Sequence, residues 1–227
     1  MSERLIKSKE RVRVHGEVFT PSWLVQDMLG LVKDEIDDIY KTFLEPATGD
    51  GNFLVSILCR KLESVKRNYE KSKWQTKSLF ALASIYGIEI QKDNLREARQ
   101  AMLDVFLAFH IEAGIKADTK SYLFKSARHI IHENIVWGNT LKKVRPDGNE
   151  IIFSEWKQVA NSTSKVERIP FTFASLFTDK ELTTPVSIVN RGVTQLSLFG
   201  EEEQKLQDEP LKYKVVDIKY VWKEELQ

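Results

Sequence analysis

The stretch Phe43-Leu44-Glu45-Pro46-Ala47-Thr48-Gly49-Asp50-Gly51-Asn52-Phe53-Leu54 constrains this chain more than any other. A short apolar run stops at a glycine turn, and an apolar helical pattern follows at once. That order predicts a strand–turn–helix unit with its turn at the carboxyl end of the strand, where open α/β sheets bind ligands. Gly49 and Gly51 permit positive φ and close backbone approach. Asn52 is placed to cap the helix.

The flanking sequence extends the same pattern. Helix 53–68 carries Leu54, Ile57, Leu58 and Leu62 on one face, and residues 69–77 read as a polar loop. A buried-type strand at 84–90 ends on the acidic Glu89. Helix 93–111 has Leu95, Ala98, Met102, Val105, Phe106 and Phe109 as its stripe, helix 119–132 follows, and 134–139 reads as a third strand with a polar end. Strands alternating with helices predict an α/β fold with a mainly parallel, covered sheet. Upstream, Thr20 and Pro21 suit an N-cap and a first helical position, followed by Trp23, Leu24, Met28, Leu31 and Val32 at helical spacing. Beyond residue 140 the pattern weakens. Residues 151–153 and 171–173 are candidate strands, 156–169 and 178–210 read as polar loops, and Lys212–Trp222 reads as a closing strand. The expected division is a charged arm at 1–15, an α/β core at 16–142, and an irregular extension at 143–227 with a candidate terminal strand.

Bulk properties bound the function. The formal charge of +1 gives no global pull toward nucleic acid, so DNA binding requires a local basic surface. The arm has two readings, a solvated segment or a phosphate-contacting one. The single cysteine, Cys59, excludes an internal disulfide and reads as a small core residue. No run reaches the ~18 apolar residues of a membrane span, and residues 1–7 lack the apolar core of an export signal, so no membrane and a cytoplasmic location are expected. His129 and His132 stand three apart on a helix, but no carboxylate pair accompanies them in a zinc pattern, and no metal is expected.

Three strand ends then meet at one edge of the sheet: 45–51, 89 and 139. Such a site suits a nucleoside. The turn admits a close ligand, Glu89 offers two oxygens to two ribose hydroxyls, and Asn139 offers a donor and an acceptor to an adenine edge. The turn lacks both the G-x-G-x-x-G spacing of dinucleotide binders and the Lys-Ser/Thr of a phosphate-cradling loop.

Four motifs in order, Gly16-Glu17-Val18-Phe19-Thr20-Pro21, Leu44–Phe53, Tyr86-Gly87-Ile88-Glu89-Ile90 and Asn134-Ile135-Val136-Trp137-Gly138-Asn139, resemble the adenine-specific DNA methyltransferases of restriction–modification systems. The resemblance covers residues 16–141. It implies a Rossmann-like methyltransferase core that binds S-adenosylmethionine. By that resemblance Phe19, Thr20 and Pro21 contact the methionine part, and Glu45, Thr48, Gly49 and Gly51 line its turn. Glu89 holds the ribose, Ile90 packs on the adenine, and Asn139, where the family often has Asp, bonds its edge.

The family's catalytic Asn/Asp-Pro-Pro-Tyr/Phe motif, which holds a flipped adenine for in-line attack, has no match, because no two prolines are adjacent. The nearest shape is Val215-Val216-Asp217-Ile218-Lys219-Tyr220, with Asp217 and Tyr220 as its acid and aromatic. Two expectations follow. Either this is a cofactor-binding portion whose catalytic or specificity residues lie on a partner chain, or it is a catalytically inactive module that binds DNA or the replication clamp. The second expectation gains from Gln195-Leu196-Ser197-Leu198-Phe199, which looks like the pentapeptide by which bacterial proteins dock on the sliding clamp, with Gln195 as polar anchor and Leu198 and Phe199 as apolar ones.

Overall fold

Three short parallel strands organise the computed structural model, which describes residues 5–177 and 211–226. β1 (Phe43–Glu45), β2 (Ile85–Glu89) and β3 (Ile135–Trp137) lie side by side in that order. Phe43 is opposite Ile85, and Glu89 is opposite Trp137. Among the described residues no strand pairs with the outer edge of β1, where Leu44 is half-exposed.

Helices fill the connections: α1 (Lys9–His15), α2 (Ser22–Gly30), α3 (Lys33–Asp37), α4 (Asn52–Asn68), α5 (Trp74–Ala83), α6 (Lys92–Glu112) and α7 (Tyr122–Asn134). Period-two alternation divides β2 between two cores. Ile85 joins Leu54, Leu58, Met102, Phe106 and Ile130 of the helices, while Tyr86 and Ile88 pack on Ile151, Phe153 and Phe173. Phe153 of the second group lies in an antiparallel sheet of β4 (Ile152–Gln158), β5 (Lys165–Thr172) and β6 (Val216–Asp217), and Ile151 and Phe173 flank its strands. Helices therefore cover one face of the parallel sheet and a second sheet covers the other. The Tyr86 hydroxyl donates to the Ser154 carbonyl across the interface (3.1 Å).

The C-terminal part is more regular than the sequence suggests. Residues 156–169 are largely the two strands of a hairpin, not a loop. Val216–Asp217 alone is strand within 212–222, and Ile218–Lys223 turns into a 3-10 helix. Other expectations also shift. The cap of α2 is Pro21 with no side-chain bond, so Thr20 is not the cap. Gly51, at φ 101°, caps α4 and Asn52 is its first residue. Cys59 is exposed on α4. The expected apolar face of α2 largely faces outward: α2 packs on α4 through Val25 and Leu29, leaving Trp23 64% and Leu31 86% exposed, with Met28 and Val32 also exposed. Among the described residues no helix is long and apolar enough to cross a membrane.

Candidate functional site

The turn after β1 is fixed on β2 by backbone bonds. Thr48 N–H donates to the Ile88 carbonyl and Gly51 N–H to the Thr48 carbonyl, both at 3.0 Å. Its glycines are required sterically. Gly49 has φ 57°, and a Cβ there would lie 3.2 Å from the Phe19 ring. A Cβ on Gly51 would lie 2.9 Å from Ala98 Cα of α6. The two glycines thus let the loop pack between Phe19 and α6, tightly at Gly49 and with no space for a Cβ at Gly51.

Glu89 closes the other side. Its carboxylate is buried and accepts from Gly49 N–H (2.8 Å) and Gln91 N–H (2.7 Å), while its carbonyl accepts from Gly138 N–H (3.0 Å). Burial pushes the Glu89 carboxyl above its usual range against the pull of those two N–H groups, and the neighbouring Glu17 charge pushes the same way. Phe19 is buried beside Gly49, and the Asn52 amide reaches the Thr20 carbonyl at 3.5 Å. Phe19, Thr20, Thr48, Gly49, Gly51 and Glu89 are therefore brought together, and Pro21 follows directly as the cap of α2.

The remaining residues sit at the rim. Glu45 accepts from Ala47 N–H within its own turn (3.2 Å), and burial raises its pKa. Ile90 is half-exposed, and its carbonyl accepts from Trp137 Nε1 (2.8 Å). Asn139 Oδ1 accepts from Lys142 N–H (3.0 Å), which leaves its amide NH2 and a second lone pair for a ligand. The Thr140 hydroxyl donates to the Pro46 carbonyl, tying this loop to the turn after β1.

Sequence reasoning missed a charged cluster beside Glu89. Arg11 Nε donates to Glu17 Oε2 (2.9 Å) and its Nη1 to Asp93 Oδ2 (2.5 Å); Asn94 Nδ2 also donates to Glu17 Oε2 (2.9 Å). Lys7 pairs with Glu97 (2.6 Å) and Asp93 (3.1 Å). Two cations of the arm are therefore held by carboxylates of this chain, as neither reading of the arm foresaw. The available signal was position: Glu17 stands two residues before Phe19.

Asp217 and Tyr220 lie elsewhere. Asp217 accepts from the Ser164 hydroxyl and from Lys219 N–H, and Tyr220 packs on Tyr122. The 3-10 helix that Asp217 caps and Tyr220 belongs to rests on α5 and α7, which lead into the amino ends of β2 and β3. The fold does not bring this pair to the turn. His129 is paired with Glu224 and His132 lies beside Arg99; among the described residues no cluster of three or more His, Cys, Asp or Glu could hold a metal. Residues 195–199 fall outside the described residues. A cavity of about 550 Å³ opens where β3, α6, α7 and the hairpin meet, lined by Arg99, His132, Trp137, Arg145, Arg168 and Tyr213. It is lined by none of the residues of the glycine turn. No family model, curated protein or solved structure matches this chain.

Proposed function

We propose that this chain is an S-adenosylmethionine-binding, methyltransferase-like protein of the adenine-specific DNA-modifying, restriction–modification type, which takes its base-handling residues from a partner chain. The observation that carries the reading is the buried Glu89 carboxylate held at 2.8 Å from a Gly49 turn that Phe19 covers. The residues fit that cofactor on two counts. Gly49 and Gly51, at positive φ, let the turn pack directly on Phe19 and on Ala98 of α6, which fixes its backbone beside Glu89. Two buried carboxylates, Glu17 and Glu89, suit a nucleoside with cationic groups. When bound, the cofactor supplies a sulfonium methyl group; Glu89 orients its ribose, and Asn139 and Ile90 take the base.

The proposed partner draws its support from what these 227 residues lack and expose. They contain no Pro-Pro. The outer edge of β1 is unpaired among the described residues, and Trp23, Met28 and Leu31 expose apolar area on α2. Open strand edges and apolar patches are both sites of association. DNA is the proposed substrate. The second reading, an inactive module that binds DNA or the sliding clamp, is favoured by the distance of Asp217 and Tyr220 from the turn and by the 195–199 motif.

Calorimetry with S-adenosylmethionine on the intact protein and on Glu89→Ala tests the cofactor reading. Binding that Glu89→Ala abolishes supports it, and no binding to the intact protein overturns it. Methyl transfer to DNA on addition of a partner chain supports the enzyme, whereas binding without transfer under every pairing supports the inactive module. For the clamp, Leu198→Ala with Phe199→Ala must weaken binding; unchanged affinity removes the idea.

A further inference from the structure

We infer that Glu17 is the receptor for the ammonium group at the amino-acid end of the cofactor. The inference rests on the S-adenosylmethionine reading above and adds a residue which that reading does not assign.

Glu17 is a half-satisfied carboxylate. Its side chain is 8% exposed. Oε2 accepts from Arg11 and from Asn94 Nδ2 at 2.9 Å, while Oε1 is buried and has no hydrogen-bond donor among the described residues. A buried carboxylate oxygen without a donor is unfavourable by itself. The donor that best compensates it is a cation, because charge-assisted bonds are about twice as strong as neutral ones. Burial pushes Glu17 up, but the bonds from Arg11 and Asn94 outweigh it and hold the group below its usual range, so it is anionic at neutral pH.

Position selects the ligand group. Glu17 and Phe19 stand two apart and both turn inward, while Val18 between them is 60% exposed, so the two project to the same side. Phe19 lies on Gly49, and Glu17 is close enough to Glu89 to act on its ionisation. If Glu89 takes the ribose, a carboxylate next to Phe19 lies toward the other end of the ligand, where S-adenosylmethionine carries its ammonium. Arg11 and Asn94 fix the carboxylate by its opposite oxygen, so Oε1 is oriented before the ligand arrives.

The test compares two ligands that share the thioether nucleoside. S-adenosylhomocysteine has the amino-acid end and 5′-methylthioadenosine lacks it. Titration calorimetry on Glu17→Gln is expected to show S-adenosylhomocysteine weakened by about tenfold to a hundredfold, with 5′-methylthioadenosine unchanged. Parallel weakening of both ligands assigns Glu17 a merely structural role and overturns the inference, as does no change in either. If the intact protein binds neither ligand, the cofactor reading itself fails, a different result from an intact protein that binds both. Should Glu17→Gln not fold, deaminated S-adenosylhomocysteine on the unaltered protein gives the same decision. Affinity at least about tenfold weaker is expected, and equal affinity contradicts the assignment.

Discussion

The Gly49 N–H donates to Glu89 Oε2 across 2.8 Å, joining the turn after β1 to the end of β2 over 40 residues of chain. The bond holds the candidate site in shape before any ligand arrives, and it makes Glu89 part of the fold. Glu89→Ala leaves the Gly49 and Gln91 amides without their acceptor. An expected loss of about 1–3 kcal/mol in urea unfolding follows. Glu89→Gln keeps one carbonyl oxygen and should lose less.

Gly51 faces a harder limit. At φ 101° and with Ala98 Cα 2.9 Å from its missing Cβ, alanine strains the backbone and pushes on α6. Gly51→Ala is expected to destabilise the protein by roughly 2 kcal/mol or more. Thermal unfolding of Gly51→Ala beside Gly114→Ala checks this. Gly114 also has positive φ, nearer the left-handed region at 71°, and nothing lies within 4 Å of its Cβ, so Gly114→Ala should cost less.

The parallel strands and most of their helices were legible because each element obeys one period, but α5 begins at Trp74, inside the polar stretch 69–77 that reads as a loop. Ile85, Tyr86 and Ile88 form a continuous buried run, and Leu95, Ala98, Met102 and Phe106 repeat along one face of α6. The hairpin was not legible, because polar residues stand on its covered face. Arg168 has a side chain only 10% exposed, yet it bonds Ser154, Glu133 and Glu224 from distant segments. No local pattern announces that a charge will be neutralised from α7 and the C-terminal segment. The stripe on α2 misled for the opposite reason: Trp23, Met28 and Leu31 have helical spacing, but α4 meets Val25 and Leu29 instead. At the site, the glycine turn and Glu89 were readable, whereas the Arg11–Glu17–Asp93 cluster depends on how the arm folds back.

Arg168 yields a direct test of that hidden charge. Removing one member of a buried ion network leaves its partners uncompensated. Arg168→Met should cost about 3–5 kcal/mol. Chemical denaturation of Arg168→Met measures it. A change within about 0.5 kcal/mol, typical of a surface substitution, would show that the network contributes nothing.

Lys61 sets a pH dependence on the opposite side of α4 from solvent. Its ammonium is buried, donates to the Asp38 and Lys41 carbonyls at 2.8 Å each, and has a pKa pulled down by burial from 10.5 to about 7. Between those values the unfolded chain binds the proton more strongly than the folded one. Stability from this group therefore rises as pH increases from about 7 toward 10.5 and is level below 7. Urea midpoints of the intact protein and Lys61→Met across that range should show a rise in the first that is smaller in the second.

The central claim is that one nucleoside cofactor is held by the turn after β1, by Glu89 and by residues 17–21. Hydrogen exchange of the intact chain with and without S-adenosylhomocysteine tests it most directly. Protection is predicted at 17–21, at 45–51 and at 89–91. No protection at any concentration, or protection confined to the cavity around Trp137, Arg145 and Arg168, would contradict it.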